Sequence, residues 1–449
     1  MDAPNIVVIL TDDQRADQIR EMDALLSEVG DRGATFPRAF VGNPLCCPAR
    51  ASILTGTYSH TNGVWTNGEG TDPSLGGWDV FHDLGHESRT VAVALDEAGY
   101  NGALIGKYMN GAQDAPAAPG WDRWVAFAED RPGYYDYFLR VDPDGQGPQP
   151  SALEPHGDAP QDYATDVLAA HAVSFIEDVP ESDPLFLLLA PFAPHGRAIP
   201  APRHEGVMDQ LHVGLGPAFN EDNVADKPRY IQKRLRLSND RAAELRADYR
   251  TRVETLEAVD EAIADVLAAL ASTDRLHDTL IVFTSDNGFL FGEHRWTGKL
   301  VPYEESVRVP LLVRWDGVIP AGARVRELAS HVDIAPTLVE AASTSMPAPV
   351  DGYSLLPLLT GAGEAVRSEV LFEHVRFHGG KPDPPSYCGI HTDTDRTYVR
   401  YSSGEEEFYN LHHDPAQLRN LAGNRPAGLR DARKRARQNC PYDQIPGFG

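Results

Sequence analysis

Short apolar runs that end abruptly in polar residues recur along the chain. Four of them, at residues 6–10, 103–105, 185–189 and 280–283, are rich in β-branched and large aliphatic side chains. Continuous apolar runs of this length are typical of buried parallel strands. Helical patterns lie between them, at residues 90–98, 163–176 and 242–270. The alternation predicts an α/β protein with a doubly wound, mostly parallel sheet flanked by helices.

The alternation of strand and helix patterns stops after about residue 361. Short strand patterns at residues 370–372, 397–401 and 407–411 are followed by a helical pattern near residues 427–438. We therefore predict a main α/β domain over residues 1–361. Residues 362–449 are expected to form a small C-terminal subdomain with an antiparallel sheet and one helix. Residues 114–160, rich in Pro, Gly and aromatic side chains, are expected to be irregular and to form a wall of a substrate pocket.

Polar side chains follow all four apolar runs at the point where each strand is expected to end. Ligands of such sheets bind beyond the carboxyl ends of the strands, so these side chains are predicted to share one site. Each one alone has an ordinary structural explanation, as a turn, a helix cap or a surface charge. The candidate residues are Asp12, Asp13, Lys107, His195, Asp286 and Asn287.

The acidic members of this group suggest a metal ion. Adjacent carboxylates such as Asp12 and Asp13 repel each other unless a cation lies between them. Asp286 and Asn287 offer further oxygen donors from another strand end. Oxygen donors suit Ca²⁺ or Mg²⁺ better than zinc or copper.

A second motif begins at Cys46 and continues as Cys47, Pro48, Ala49 and Arg50. Proline favours the first turn of a helix and glycine its C-terminal end, so a short amphipathic helix is predicted from about Cys46 to Gly56. Unpaired N–H groups at a helix N-terminus bind anions, and the fork of Arg50 suits sulfate or phosphate. Cys46 is therefore expected to act on an oxyanion.

Charge and composition exclude several partners. The 449 residues include 40 basic and 66 acidic side chains, a net charge of −26, which disfavours binding to nucleic acid or to an anionic membrane. No apolar run reaches the roughly 18 residues that span a bilayer. Two basic stretches, residues 227–252 and 425–437, are interpreted as solvated helix faces, with the alternative that one flanks an anionic substrate.

The compartment is left open by the sequence. The N-terminus shows no basic stretch followed by an apolar segment, so no signal peptide is expected in this chain. A cytoplasmic location is expected for the sequence as written, and a secreted or periplasmic one if a leader was removed. Cys388 and Cys440 could pair in an exported protein, while two buried thiols are an equal alternative.

These motifs together resemble those of the type I sulfatases of the alkaline phosphatase superfamily, from residue 5 to beyond residue 421. Residues 46–50 fit the family's Cys-x-Pro-x-Arg element, in which a formylglycine-generating enzyme oxidises the cysteine. Residues 11–14 and 284–288 are similar to the family's metal-binding segments. The resemblance implies an alkaline phosphatase-like fold and one divalent cation, with Ca²⁺ preferred to Mg²⁺. The implied metal ligands are Asp12, Asp13, the converted Cys46, Asp286 and Asn287.

The same resemblance implies a reaction. The hydrated aldehyde at Cys46 attacks the sulfur of a sulfate ester, and its second hydroxyl then expels sulfate. Lysines and a histidine at Gly106–Lys107, Pro194–His195 and Gly298–Lys299 match the family's sulfate-contacting positions. Arg50, Lys107 and Lys299 are then expected to neutralise the sulfuryl oxygens, and His195 to contact the bridging oxygen or protonate the leaving alcohol.

One departure from the family concerns Met109, which stands where many sulfatases have a histidine held to assist the diol. The surrounding Gly-Lys-Tyr-apolar-Asn pattern is similar to the subgroup that acts on N-acetylglucosamine 6-sulfate and heparan-type glycans. A sugar O-sulfate is therefore the expected substrate, with activated aryl sulfates as further substrates.

Other functions stay open. The nearest is a phosphonate monoester or phosphodiester hydrolase of the same superfamily, although those relatives usually carry Asp-His where this chain has Asp286 and Asn287. A different class is an inactive homologue that binds sulfated glycans. A redox or thiol-phosphatase site at Cys46 and Cys47 is disfavoured, because the spacing to Arg50 is too short for the usual phosphatase loop.

Overall fold

The computed structural model describes residues 3–68, 73–128, 132–142, 152–363, 365–377 and 383–448. Within these ranges the strands are β1 (Asn5–Thr11), β2 (Ala34–Thr35), β3 (Ala39–Phe40), β4 (Asn101–Gly106), β5 (Arg123–Phe127), β6 (Tyr137–Asp142), β7 (Ala152–His156), β8 (Leu185–Ala190), β9 (Thr279–Ser285), β10 (Leu290–Phe291), β11 (Thr297–Gly298), β12 (Leu311–Arg314), β13 (Ala323–Arg324), β14 (Ala329–Ser330), β15 (Glu369–His374), β16 (Tyr387–Thr392), β17 (Arg396–Tyr401) and β18 (Glu406–Asn410). The α-helices are α1 (Cys46–Thr55), α2 (Ser59–Asn62), α3 (Gly77–Asp83), α4 (Val91–Asp96), α5 (Ala164–Asp178), α6 (Arg229–Gln232), α7 (Asn239–Ser272), α8 (Glu304–Val307), α9 (Ile334–Ala341), α10 (Leu356–Leu359) and α11 (Leu429–Asn439).

The main sheet has its strands in the order β13-β2-β12-β9-β1-β8-β4-β5-β6-β7. Its central strands β9, β1, β8, β4 and β5 run parallel. On one side β12 pairs antiparallel with β9, and on the other β6 and β7 continue antiparallel from β5. The predicted mostly parallel sheet is confirmed, and its parallel centre contains all four apolar runs that precede the candidate site residues.

Helices cover both faces of this sheet. Along β1 the side chains of Ile6, Val8 and Leu10 join one hydrophobic core, which includes residues of α1, α4 and α9. Val7 and Ile9 point to the other face and join a core formed with α5 and α7. This alternation follows from the two-residue period of a strand, and it makes the sheet doubly wound as predicted.

The C-terminal strands β15 to β18 form a separate antiparallel sheet in sequential order, with α11 packed against β16 and β17. This arrangement agrees with the predicted small antiparallel sheet plus helix, although β16 itself was not predicted. Cys388 on β16 forms a disulfide with Cys440, which selects the paired alternative over two buried thiols. The domain boundary after residue 361 stays a prediction.

Two local predictions are wrong. The region 114–160 is not irregular throughout, because β5, β6 and β7 extend the main sheet by pairing outward from β4; residues 129–131 and 143–151 lie outside the described part. The helix α1 is not amphipathic, since all ten of its residues are buried. It contacts α2, α3, α4 and α9, so no face of it meets solvent.

Among the described residues, no helix combines the length and the apolar character needed to cross a membrane.

Candidate active site

The candidate residues meet because β9, β1, β8 and β4 are neighbours in the sheet and end at the same edge. Backbone bonds join these ends: the Asp12 N–H donates to the Ala193 carbonyl at 3.2 Å, and the Asp286 N–H donates to the Thr11 carbonyl at 3.0 Å. Asp13 has a left-handed φ of 65°. This turn in the backbone explains how two consecutive carboxylates reach one centre, which an extended strand would not allow.

Cys46 is the first residue of α1, and the extended Leu45 before it (φ −154°) starts the helix at the edge of the sheet. Its Sγ lies 2.8 Å from the Lys299 Nζ and 3.5 Å from the Asp12 Oδ1. The helix begins at the cysteine, as predicted, and ends at Thr55, where it is capped by Gly56, whose φ of 69° suits a residue without a β-carbon. The sulfur is thus brought to the helix N-terminus and the carboxylates at once.

Three cations pair with the three carboxylates of the site. The Arg50 Nε donates to Asp286 Oδ2 at 3.0 Å, and its Nη1 donates to the Lys107 carbonyl at 2.6 Å. The Lys107 ammonium forms an ion pair with Asp12. Arg50, Lys107, Asp12 and Asp286 are all buried, so each charge depends on the others for compensation.

Lys299 completes the network from a different element, the loop that follows β11. Its ammonium forms an ion pair with Asp13 and lies 3.3 Å from the Asn287 Oδ1. The Asn287 Nδ2 in turn donates to Asp13 Oδ1 at 2.6 Å. The structure therefore brings every predicted site residue into one connected cluster, with Asn287 acting here as a bridge between Asp13 and Lys299.

His195 lies at the margin of this cluster. Its Nε2 is 3.6 Å from Asp13 Oδ2, and its side chain is 31% exposed, in contrast to the buried acids. Its Nδ1 has no hydrogen-bond partner among the described residues. That nitrogen is itself buried, so Nε2, which faces Asp13, is the imidazole nitrogen placed at the site.

Sequence reasoning missed two residues that fix the His195 segment. The Tyr134 hydroxyl donates to the His195 carbonyl at 3.1 Å, and the Arg252 Nη2 donates to the Gly196 carbonyl at 3.2 Å. Arg252 is only 3% exposed, so the interpretation of residues 227–252 as a solvated face is wrong at this position. Its helical spacing from the buried Tyr249 and Leu256 was the available signal.

The pKa values of Asp12 and Asp286 are shifted in opposite directions. Burial opposes ionisation of Asp12, but the charges of Lys107, Arg50 and Lys299 hold its pKa well below the usual range. Burial and repulsion by Asp12 raise the pKa of Asp286 to about 6, although Arg50 opposes this shift. The negative charge is therefore held more firmly at Asp12 than at Asp286.

The unmodified cysteine is a poor nucleophile in this environment. Burial and the neighbouring Asp12 raise the pKa of the Cys46 thiol to about 12, against the opposing charges of Lys107 and Lys299. A thiol of this kind stays protonated at neutral pH, and the thiolate is the reactive form. Burial lowers the pKa of His195 to about 4, which leaves the imidazole neutral.

Among the described residues, one group of acidic, cysteine and histidine side chains could hold a metal ion. Ligand atoms of Asp12, Asp13, Cys46 and His195 all lie within 4.8 Å of one another. This group differs from the predicted ligand set, because Asp286 is engaged by Arg50 and His195 stands near instead. Two buried carboxylates with the amide of Asn287 beside them fit a hard divalent cation, and the lysine ammoniums supply the positive charge here.

Comparison with known families identifies the chain's relatives. The family model described as Sulfatase matches residues 4–344, which is more than half of the chain. The chain belongs to the sulfatase family. A second model, described as the C-terminal part of N-sulphoglucosamine sulphohydrolase, matches residues 292–433 of this sulfatase and overlaps the first. The family comprises sulfuric ester hydrolases that in general use a divalent metal and a formylglycine.

Two curated relatives illustrate the similarity. The sulfatase is 30% identical over 462 residues to the N-acetylglucosamine-6-sulfatase of Homo sapiens, with 93% of this chain and 81% of the relative covered. It is 33% identical over 371 residues to an extracellular sulfatase SULF-1 homologue of Drosophila melanogaster. That match covers 81% of this chain but only 32% of the much longer relative.

Solved structures share the fold. One, a complex of a protein with its substrate D-glucosamine-2-N,6-O-disulfate, has a TM-score of 0.79 at 24% identity and covers 98% of this chain and 99% of the other. A phosphonate monoester hydrolase of Agrobacterium radiobacter has a TM-score of 0.70 at 20% identity, with 98% and 96% covered. At these identities the likeness concerns the fold, so the choice of reaction depends on the site and the family.

Proposed function

We propose that this sulfatase hydrolyses an O-sulfate ester of an amino sugar of the N-acetylglucosamine 6-sulfate type, after oxidation of Cys46 to formylglycine. The observation that carries the proposal is the position of the Cys46 side chain. It stands at the N-terminus of a buried helix, in contact with Lys299 and Asp12, where the unmodified thiol is held in its unreactive form.

The modification explains an otherwise unfavourable arrangement. Hydrated formylglycine supplies one hydroxyl as the nucleophile and a second whose deprotonation drives release of sulfate. The neighbouring carboxylates of Asp12 and Asp13, both buried, are suited to hold its hydrogen atoms or a cation beside it. A formylglycine-generating enzyme is accordingly the expected maturation partner.

The three cations have a common role in this proposal. Arg50, Lys107 and Lys299 surround the space at the Cys46 side chain and carry charges that are fixed by burial and pairing. Fixed positive charges of this kind stabilise the negative charge that develops on the three sulfuryl oxygens as the ester is attacked. A divalent ion, preferably Ca²⁺, at Asp12 and Asp13 would add positive charge and acidify a hydroxyl nucleophile.

His195 is assigned to the leaving-group side. Its imidazole is neutral and partly exposed, and its Nε2 faces the site at 3.6 Å from Asp13 Oδ2. A neutral imidazole N–H in this position donates a hydrogen bond to the bridging oxygen, which stabilises the departing alcohol. Met109 lies in the hydrophobic core and its thioether carries no exchangeable proton, so it offers no second group for proton transfer.

The substrate class is supported by the relatives' names. The human relative is named for N-acetylglucosamine 6-sulfate, and the solved relative binds a glucosamine carrying a 6-O-sulfate. Export to an oxidising compartment is also proposed, since the Cys388–Cys440 disulfide would be reduced in most cytosols and one relative is named as extracellular.

The test is a substrate panel applied to protein matured with a formylglycine-generating enzyme. We expect release of sulfate from N-acetylglucosamine 6-sulfate to exceed release from its 3-sulfate and from N-acetylgalactosamine 6-sulfate. An aryl sulfate and an aryl phosphodiester with the same leaving group complete the panel. Faster cleavage of the phosphodiester would overturn the sulfatase assignment, and preference for another sugar would overturn the substrate class alone.

A further inference from the structure

The backbone around Lys299 adopts an unusual conformation. Gly298 before it has a φ of 108° and Leu300 after it has a φ of 79°. A leucine in the left-handed region is disfavoured by contacts of its β-carbon, so it persists only where the surrounding structure holds it. The groups that hold this loop therefore matter for the position of the lysine.

Two aromatic side chains donate hydrogen bonds to two consecutive backbone carbonyls of this loop, those of Lys299 and Leu300. The Trp296 Nε1 donates to the Lys299 carbonyl at 3.0 Å, from within the same loop. The Tyr387 hydroxyl donates to the Leu300 carbonyl at 3.0 Å, and it comes from β16 of the C-terminal sheet. Tyr387 is fully buried, so water cannot replace its hydroxyl at that carbonyl.

The C-terminal sheet also contacts the same loop at Tyr303, three residues after Leu300. The Tyr303 hydroxyl donates to Glu407 at 2.9 Å, and Tyr401 and Tyr409 donate to the same carboxylate at 2.5 and 2.6 Å. Glu407 is fully buried. The loop after Lys299 is thus hydrogen-bonded to the C-terminal sheet at both Leu300 and Tyr303.

From this geometry we infer that Tyr387 of the C-terminal sheet is a positioning residue for Lys299, and that it sets the place of the ammonium at the reacting centre. The inference rests on the proposed function. The Lys299 Nζ lies 2.8 Å from the Cys46 Sγ and 3.3 Å from the Asn287 Oδ1. Both are hydrogen-bond distances, so a small shift of the backbone at Lys299 would lengthen them beyond that range. Reacting groups tolerate displacements of well under 1 Å before rates fall.

The first test is the substitution Tyr387→Phe, which removes one hydroxyl and keeps the ring. We expect kcat for the sulfate ester to fall about tenfold with KM changed less than about twofold, because Lys299 acts mainly on charge that develops during the reaction. Tyr100→Phe is the matched control. Tyr100 is also buried, and its hydroxyl also donates to a backbone carbonyl, that of Pro4 at 2.8 Å. Pro4 precedes β1, at the end of the strand opposite to the candidate site.

A double-mutant cycle separates positioning of Lys299 from a general structural effect. If Tyr387 acts through the lysine, Tyr387→Phe in a Lys299→Ala background lowers kcat/KM by less than about twofold further. The same tenfold loss in both backgrounds would overturn the inference, as would full activity of Tyr387→Phe alone or an equal loss in Tyr100→Phe.

A binding measurement gives a readout that needs no turnover. Inorganic sulfate is a dianion and carries the extra negative charge that a sulfate monoester gains only as it reacts, so its affinity reports on Lys299 where KM does not. Its titration into Cys46→Ala protein by calorimetry should show several-fold weaker affinity when Tyr387→Phe is added, and no change when Tyr100→Phe is added. Sulfate binding that is equal in all three proteins would refute the positioning role. No sulfate binding to any of them, together with no hydrolysis by the matured enzyme, would instead refute the proposed function on which the inference rests.

Discussion

Two of the sites at which the sulfatase buries carboxylates satisfy them in opposite ways. At the strand ends, Asp12, Asp13 and Asp286 are neutralised by the ammonium and guanidinium groups of three cations. In the C-terminal sheet, the equally buried Glu407 accepts hydrogen bonds from tyrosine hydroxyls, and burial raises its pKa. Both arrangements meet the requirement that a buried charge be compensated.

The two regions differ in whether a bound ion could replace the partners of the buried carboxylates. Ion pairs at the strand ends leave cations that a sulfate group can take over and carboxylates that a divalent ion can take over. Three hydroxyls around Glu407 carry no net charge, so they fix geometry without attracting a charged ligand. Under the proposed function, the strand-end region binds and releases ions, and the C-terminal sheet holds the loop that carries Lys299 in place.

The largest expected effect comes from removing the nucleophile at the exchangeable centre. Cys46→Ala should abolish sulfate release, a loss of at least about 10⁴-fold, because no remaining group can form the diol. The thermal midpoint should change little, since only one sulfur atom is removed. Cys47→Ala is the matched control, being the adjacent buried cysteine. Substantial hydrolysis by Cys46→Ala would contradict the assignment of the nucleophile.

Removing a carboxylate at the same centre tests the exchange of ions. Asp286→Ala should weaken Ca²⁺ binding and lower kcat/KM by about a thousandfold, because several kcal/mol of charge stabilisation depend on this network. Calorimetric titration with Ca²⁺ and activity after chelator treatment are the measurements. Asp260→Asn, which alters a buried carboxylate that accepts the N–H groups of Ala24 and Leu25, should leave both unchanged. Undiminished metal affinity in Asp286→Ala would exclude it from the metal site.

A smaller and selective effect is expected at the exposed margin of the centre. His195→Ala should lower turnover of a sugar sulfate by about a hundredfold but that of an activated aryl sulfate by much less, since a good leaving group needs no hydrogen bond. The comparison uses kcat/KM on both substrates with the same enzyme preparation. Equal losses on the two substrates would exclude a role at the leaving oxygen.

Much of this organisation could be predicted from the sequence because it depends on local patterns. The apolar runs at residues 6–10 and 280–283 gave both the strands and the place where Asp12, Asp13 and Asp286 converge. The helix start at Cys46 followed from Pro48 two residues later. Parallel strands put their carboxyl ends at one edge, so strand order beyond this was not needed to foresee one site.

What the sequence did not reveal depends on contacts between distant segments. The strand β16 carries a glycine, a cysteine and a histidine, which weaken its pattern, and it forms because β15 and β17 pair with it on either side. The ion pair of Asp286 with Arg50, the place of His195 in the candidate metal group and the buried position of Arg252 also arise from tertiary packing. Such pairings override local propensity and leave little trace in a single sequence.

The smallest effect should come from the region that holds shape. Glu407→Gln replaces an acceptor of three hydroxyls by an amide whose NH₂ group opposes them, at a cost of roughly 1–3 kcal/mol in the free energy of unfolding. Differential scanning calorimetry should show a thermal midpoint lower by a few degrees. Calcium affinity should stay unchanged, because Glu407 bonds to tyrosines and not to the strand-end carboxylates. A loss of calcium binding comparable to that of Asp286→Ala would show that the two carboxylate groups are not separate in function.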